Sequence, residues 1–187
     1  MVKTIYIVRH CKAAGQAPDA PLTPEGVAQA TQLVDRLAML PIERIISSPF
    51  LRATQSIAPL AQRLGLPIAT DERLAERILS TADLPDWLAA LQVTFDDLDR
   101  CFEGGESSRT AMQRAATVLR ESELHSAVVT LLVTHGNLMT LLLKHFDQRI
   151  GFAEWQRLTN PDVYRVVLAP ERAKIVRVWD QYSGTTL

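Results

Sequence analysis

Apolar positions along this chain switch between two spacings. TIYIV (4–8), ERIISS (43–48), PIAT (67–70) and AVVTLLVT (127–134) are short runs rich in β-branched and apolar residues, and the first and last read as strands buried on both faces. Between them the apolar positions fall three and four apart. In TPEGVAQATQLVDRLAML (23–40) Thr23 is placed to cap a helix that Pro24 opens, with Val27, Ala30, Val34 and Leu37 on one stripe. In SPFLRATQSIAPLAQRLG (48–65) the same logic makes Ser48 the cap and Pro49 the first residue, puts Phe50, Ala53, Ile57, Leu60 and Leu64 on the core stripe, and ends the helix at Gly65. ESSRTAMQRAATVLRESEL (106–124) is a third helix, capped by Ser107 or Ser108, and NLMTLLLKHF (137–146) a short fourth. Residues 71–105 are irregular, with one helix expected at about 84–94, and VYRVVLAP and AKIVRVWD read as a closing hairpin.

Strands alternating with helices predict an α/β fold: a three-layer sandwich with a mostly parallel central sheet flanked by helices. With 187 residues, 47% of them hydrophobic, the chain suits one domain spanning 1–187. A helical insertion at about 77–105 is expected to lie over the functional edge of the sheet.

Charge narrows the partners. The net charge is −1 and the pI about 6.4, with no basic stripe, so no nucleic-acid partner is expected. Apolar stretches are too short to span a bilayer, and the N-terminus reads as a strand, so a cytoplasmic protein without a membrane partner is expected. Cys11 and Cys101 have no neighbouring cysteine and are expected as free thiols.

Chemistry concentrates where strands turn into helices, the edge at which parallel sheets bind ligands. The first strand ends in Arg9 and His10, the second leads through SSP to Arg52, and the long apolar strand ends in VTHGN with His135. Each residue alone reads as structural; Asn137, for instance, could cap its helix. Two guanidinium forks and two imidazoles converging beside helix N-termini suit a phosphoryl group. A neutral histidine there can act as nucleophile while the other donates to the phosphoryl oxygens, which predicts a phosphohistidine. Cys-x5-Arg chemistry is excluded, since Ala17 and Ser107 stand five intervening residues beyond the cysteines, and His125, His135 and His145 lack metal-ligand spacing. His125 and His145 read as solvated helix-end residues, His145 at a helix C-terminus that favours a cation. In GGES, Gly104 and Gly105 read as a turn and Glu106 as a first-turn acid.

VRHC, SSPFLRATQS, DERLAER, GGES, LLVTHGN and LTNPDVYRVVL, in that order, resemble the histidine phosphatase superfamily, whose branch with the cofactor-dependent phosphoglycerate mutases covers residues 4–168. The resemblance implies a phosphoglycerate mutase-like fold, His10 as phosphorylated nucleophile, and Arg9, Arg52 and His135 completing the phosphate pocket. It implies a glutamate as proton donor, Glu76 in RLAER, with Glu72 the rival on the same face if that stretch is helical. The resemblance implies a reaction without metal or cofactor on a small phosphomonoester, and a monomer or homodimer is expected. Further substrate contacts are expected from Lys12, Glu72 and Asn137.

The chain also departs from the family pattern. Cys11, Lys12 and Ala13 stand where the resemblance would put glycine, an acid or amide, and a hydroxyl residue. Backbone amides at 11–15 are expected to replace the hydroxyl. Lys12 is either a solvated loop residue or a selector for a second negative group, and Cys11 is a small loop residue or, if a neighbouring cation lowers its pKa, redox-sensitive. Hydrolysis is favoured over mutase chemistry, because no Arg-Arg pair occurs and the segment between Glu76 and His135 is short. A non-catalytic phosphate-binding module is the third reading. Trp87, Leu88, Leu91, Phe95 and Phe102 either wall the pocket or bury the insertion helix on the sheet, and Val176, Val178 and Tyr182 are read as exposed on a final edge strand.

Overall fold

A computed structural model of the chain describes residues 2–169 and 173–179. Six strands, β1 (Lys3–Arg9), β2 (Arg44–Ser47), β3 (Ile68–Thr70), β4 (Val129–Thr134), β5 (Asp162–Leu168) and β6 (Lys174–Arg177), form one sheet in the order β3-β2-β4-β1-β5-β6. β3, β2, β4 and β1 run parallel, whereas β5 is antiparallel to β1 and β6 to β5. The sheet is therefore mixed: a parallel core, as the alternation predicts, extended by the C-terminal hairpin.

Helices cover both faces. Ile5 and Ile7 of β1 point to one side, with Ile46 and Leu132, and meet α3 (Trp87–Asp96), α4 (Ser108–Leu124) and α5 (Gly136–Phe146), with α6 (Phe152–Gln156) packed at the margin. Tyr6 and Val8 point to the other, with Ile45, Leu131 and Val133, and meet α1 (Pro24–Leu37) and α2 (Leu51–Leu64). This alternation along strands that are nonetheless apolar throughout is what burial between two helical layers requires. Among the described residues no helix is long and apolar enough to cross a membrane.

Local signals place several boundaries. Thr23 accepts from Gly26 N–H with Pro24 at the first turn of α1, Gly65 ends α2 in the left-handed region at φ 67°, and Ser107 caps α4. Others move. The buried face of α1 is Gly26, Ala30, Leu33 and Leu37, and Val27 is 58% exposed. The helix is rotated so that Gly26 packs on the loop after β1, where a Cβ would meet the Lys12 carbonyl oxygen at 2.0 Å. Replacing Gly26 by alanine is expected to destabilise the protein by about 1–3 kcal/mol through forced overpacking, read as a lower midpoint of urea unfolding. An unchanged midpoint would show that α1 does not hold this loop.

α2 starts at Leu51 rather than at Pro49. Phe50 is its N-cap without a side-chain bond, and half-buried Phe50 leaves the core stripe for the site. The insertion helix runs from 87 to 96, capped by Asp86. Val178 is buried, its N–H bonded to Val163 C=O, and Val176 is half-buried; the hairpin folds these residues over α1, while Tyr182 lies outside the described residues. The short α6 has too few turns to show a period in sequence.

Candidate active site

Register brings the chemistry together. β1 pairs with β4 so that Arg9 faces Thr134, and β4 with β2 so that Ser47 faces Val133. The next residues, His10, His135 and Ser48, therefore leave the sheet side by side, with His10 N–H bonded to Thr134 C=O and Ser48 N–H to Val133 C=O. Because β5 is antiparallel, its first residue Asp162 also faces Arg9, which brings the 157–161 loop to the same edge. There the Asn160 amide donates to the His10 carbonyl at 2.8 Å.

His10 is held in one tautomer. Its Nδ1 lies 2.6 Å from the Cys11 carbonyl, which can only accept, so Nδ1 carries the proton. Its Nε2 receives a bond from Arg52 Nε at 3.3 Å, and a guanidinium can only donate. Nε2 therefore presents its lone pair. Burial, ahead of Arg52 and Arg9, lowers the His10 pKa to about 4, so the ring is neutral near pH 7. Arg52 is 1% exposed and fixed by the Gln16 and Ala17 carbonyls at 3.0 and 2.7 Å, and its guanidinium lies over the Phe50 ring.

The His135 ring lies edge-on to His10 at 5.0 Å between centroids, with Phe50 on another side at 4.9 Å. Burial, then His10 and the arginines, lowers its pKa well below the ordinary value. Its Nε2 is 2.7 Å from Ser48 Oγ, and its Nδ1 is buried without a partner. Ser48, expected as a helix cap, instead fixes this imidazole. Arg9 reaches the Leu158 and Thr159 carbonyls, and its Nε is buried and unpartnered. Gly136 permits that approach, since a Cβ there would stand 3.1 Å from the Arg9 guanidinium.

Glu76 is clamped by the start of α5: Oε2 accepts from Asn137 N–H, and Oε1 from Leu138 and Arg77 N–H, all at 2.9 Å. The cap position of α5 is His135, and Asn137 side-chain nitrogen and oxygen are both buried without partners. Glu76 and Asn137 face a cavity of about 520 Å³ with Arg9 and Arg77, walled on its apolar side by Leu79, Trp87, Leu91 and Trp155.

Other expected groups lie elsewhere. Glu72 belongs to a single 3-10 turn, Glu72–Leu74, after which the chain extends, so it shares no face with Glu76 and stays exposed. Exposed Lys12 pairs with Glu25. In the loop after β1 the amides of residues 11, 12 and 14 are bonded to Ser56 Oγ, Gln29 Oε1 and the Pro21 carbonyl, and so are not available to an anion. Burial raises the Cys11 thiol to about 11, the reverse of a redox-sensitive cysteine. Glu106 precedes the α4 cap and pairs with Arg114. Burial and Arg120 lower the His145 pKa, so the helix end does not favour its cation. Trp87 and Leu91 wall the cavity, Leu88 is exposed, Phe95 packs in the core with Phe152, and Phe102 lies beside Arg100.

A family model described as histidine phosphatase superfamily (branch 1) matches residues 5–181. The chain belongs to the histidine phosphatase superfamily. Among curated relatives of this histidine phosphatase-family chain is the probable phosphoglycerate mutase GpmB of Salmonella choleraesuis, 29% identical across 87% of this chain and 83% of the relative. A mycobacterial glucosyl-3-phosphoglycerate phosphatase superposes with TM-score 0.77 at 21% identity, covering 95% and 97% of the two chains. Bacillus stearothermophilus YhfR gives 0.76 at 22%, covering 94% and 96%. These structures share the fold.

Three residues at this edge of the sheet escaped the sequence reading. Ser48 looks like a cap from its SP context, Asn160 lies 150 residues from the histidine it braces, and Arg77 reads as one more charge in an acid-base string. Only the LTNP stretch signalled one of them, through the family resemblance.

Proposed function

We propose that the protein hydrolyses phosphomonoesters through a phosphohistidine on His10, without a metal. The observation that carries this reading is the His10 tautomer: Nδ1–H held by Cys11 C=O, and Nε2 unprotonated and addressed by Arg52 Nε. Nε2 attacks phosphorus and the P–O bond to the leaving group breaks. Arg9 and Arg52 neutralise the phosphoryl oxygens. The 2.7 Å contact lets Ser48 Oγ give its proton to His135 Nε2, and in that tautomer His135 Nδ1–H donates to the charge that develops. Glu76 Oε2, with one amide bond against two at Oε1, carries the proton that goes to the departing alkoxide. Glu76 then takes a proton from water, the water oxygen attacks phosphorus, the N–P bond breaks, and inorganic phosphate leaves.

The name of the GpmB relative favours a second reading, phosphoryl transfer between alcohols. The two differ in product. With a chromogenic aryl phosphate and excess chelator, hydrolysis releases inorganic phosphate mole for mole with the phenol; transfer moves phosphate to an acceptor without net release.

The same assay carries a pH expectation. His10 must be neutral to attack, and its pKa lies near 4 rather than 6.5. After allowance for the substrate's own ionisation, kcat/KM is expected to hold down to about pH 4 and to fall below it. A midpoint near 6.5 would mean that His10 is not the group titrating or is not buried in solution.

A further inference from the structure

Asp162 is a carboxylate at the active edge of the sheet, 0% exposed, and the phosphoryl chemistry does not use it. Both of its oxygens are filled from the protein. Oδ1 accepts from Val163 N–H at 2.9 Å and Arg177 Nε at 3.0 Å, and Oδ2 from Thr159 N–H at 3.0 Å and Arg177 Nη2 at 2.7 Å. A carboxylate offers about four acceptor sites, so these donors saturate it, and its task is to hold chain rather than a ligand.

Arg177 supplies the cation that a buried carboxylate requires, in the two-pronged geometry of a guanidinium. It stands at the end of β6, opposite Tyr164 of β5, and its Nη2 also donates to the Arg157 carbonyl at 3.2 Å. The pair therefore grips the 157–161 loop twice, at Arg157 through Arg177 and at Thr159 through Asp162. That loop backs the phosphate pocket. Its Leu158 and Thr159 carbonyls accept from Arg9 Nη1 at 3.3 and 3.4 Å, and the Asn160 amide donates to the His10 carbonyl at 2.8 Å. Arg9 also stands directly opposite Asp162 in the β1–β5 ladder, within reach of its charge. Arg177 thus acts on Arg9 in two ways: it fixes the carbonyls to which Arg9 is bonded, and it occupies the carboxylate that would otherwise draw the Arg9 guanidinium back from a phosphoryl group.

We propose that Arg177 is a positioning residue for the phosphoryl site, setting where the Arg9 guanidinium points through Asp162 and the 157–161 loop. The proposal rests on the phosphatase reading above, which makes Arg9 a ligand of the phosphoryl oxygens. It gives the last strand of the sheet, an edge hairpin added to the parallel core, a part in catalysis although Arg177 itself touches no substrate.

The test is a double-mutant cycle on Arg177→Met and Arg9→Met. It is read as binding of inorganic phosphate by calorimetry and as kcat/KM for an alkyl and a nitrophenyl phosphate, the rates covering variants that bind phosphate too weakly for calorimetry. Arg177→Met is expected to weaken phosphate binding about tenfold in otherwise wild-type protein and less than about twofold in the Arg9→Met background. The loss in kcat/KM is expected to be equal for the two esters, because Glu76 is held by amides of Arg77, Asn137 and Leu138 that do not involve the loop. Arg177→Lys keeps a cation beside Asp162 but gives up the fork, so it is expected to lose about threefold; it carries the cycle if the Met variant does not fold. A loss of the same size in both backgrounds would make Arg177 a structural residue only, and an Arg177 variant that binds phosphate like wild type would leave it no part in the site; either result overturns the proposal. Coupled phosphate binding in a protein that hydrolyses neither ester would leave the positioning role standing and reject the phosphatase reading, whereas wild type that binds no phosphate would overturn both.

Discussion

Replacing His10 by alanine is expected to lower kcat for an aryl phosphate by at least about 10⁴-fold, to the level the remaining pocket sustains alone. The argument is geometric. Nε2 is the one unprotonated imidazole nitrogen that an arginine, Arg52, is seen to address, and alanine removes it while leaving Arg9 and Arg52 to bind phosphate. Affinity for inorganic phosphate is therefore expected to fall far less than turnover. Steady-state rates with phosphate inhibition constants separate the two; a variant that keeps more than a tenth of wild-type kcat would place the nucleophile elsewhere.

Glu76→Gln is expected to lower kcat by about 10²–10⁴-fold for an alkyl phosphate, whose departing alkoxide needs a proton, and much less for a nitrophenyl ester, whose phenolate leaves unaided. The contrast between leaving groups identifies a proton donor, since a residue that only positioned α5 would slow both alike. Glutamine also sets an NH₂ against one of the amide donors that hold the carboxylate, so a loss common to both substrates is expected on top of the contrast. Equal losses for the two esters would assign Glu76 to holding the start of α5.

What the sequence made legible follows from which interactions are local. Thr23 and Ser107 caps, Gly65 and the apolar strand runs are settled within a few residues, and they lie where the pattern placed them. The phase of α1 was not local. Apolar residues at 27, 30, 33, 34 and 37 support two overlapping stripes, and the choice is made by Gly26 meeting the Lys12 carbonyl. The same holds in the site. Arg9, His10 and His135 stand at strand ends and converge through register, with Arg52 joining them from the first turn of α2, which alternation of strand and helix already implies. Ser48 could not be told from a cap until β2 and β4 were aligned. The carboxylate of Glu76 depends on amides 61 and 62 residues away. Loop amides at 11, 12 and 14 looked free for an anion because their partners, Ser56, Gln29 and Pro21, are distant in sequence or invisible to periodicity.

The central claim is a covalent intermediate on His10, and the direct measurement is to trap it. Wild type mixed with ³²P-labelled aryl phosphate and quenched within one turnover is expected to carry label that is stable to alkali, labile to acid, and located by peptide mapping on residues 9–11; the label should form and decay at rates compatible with kcat and be absent from His10→Ala. Turnover that proceeds with no enzyme-bound label at any quench time, or label that maps to another residue, would contradict the account.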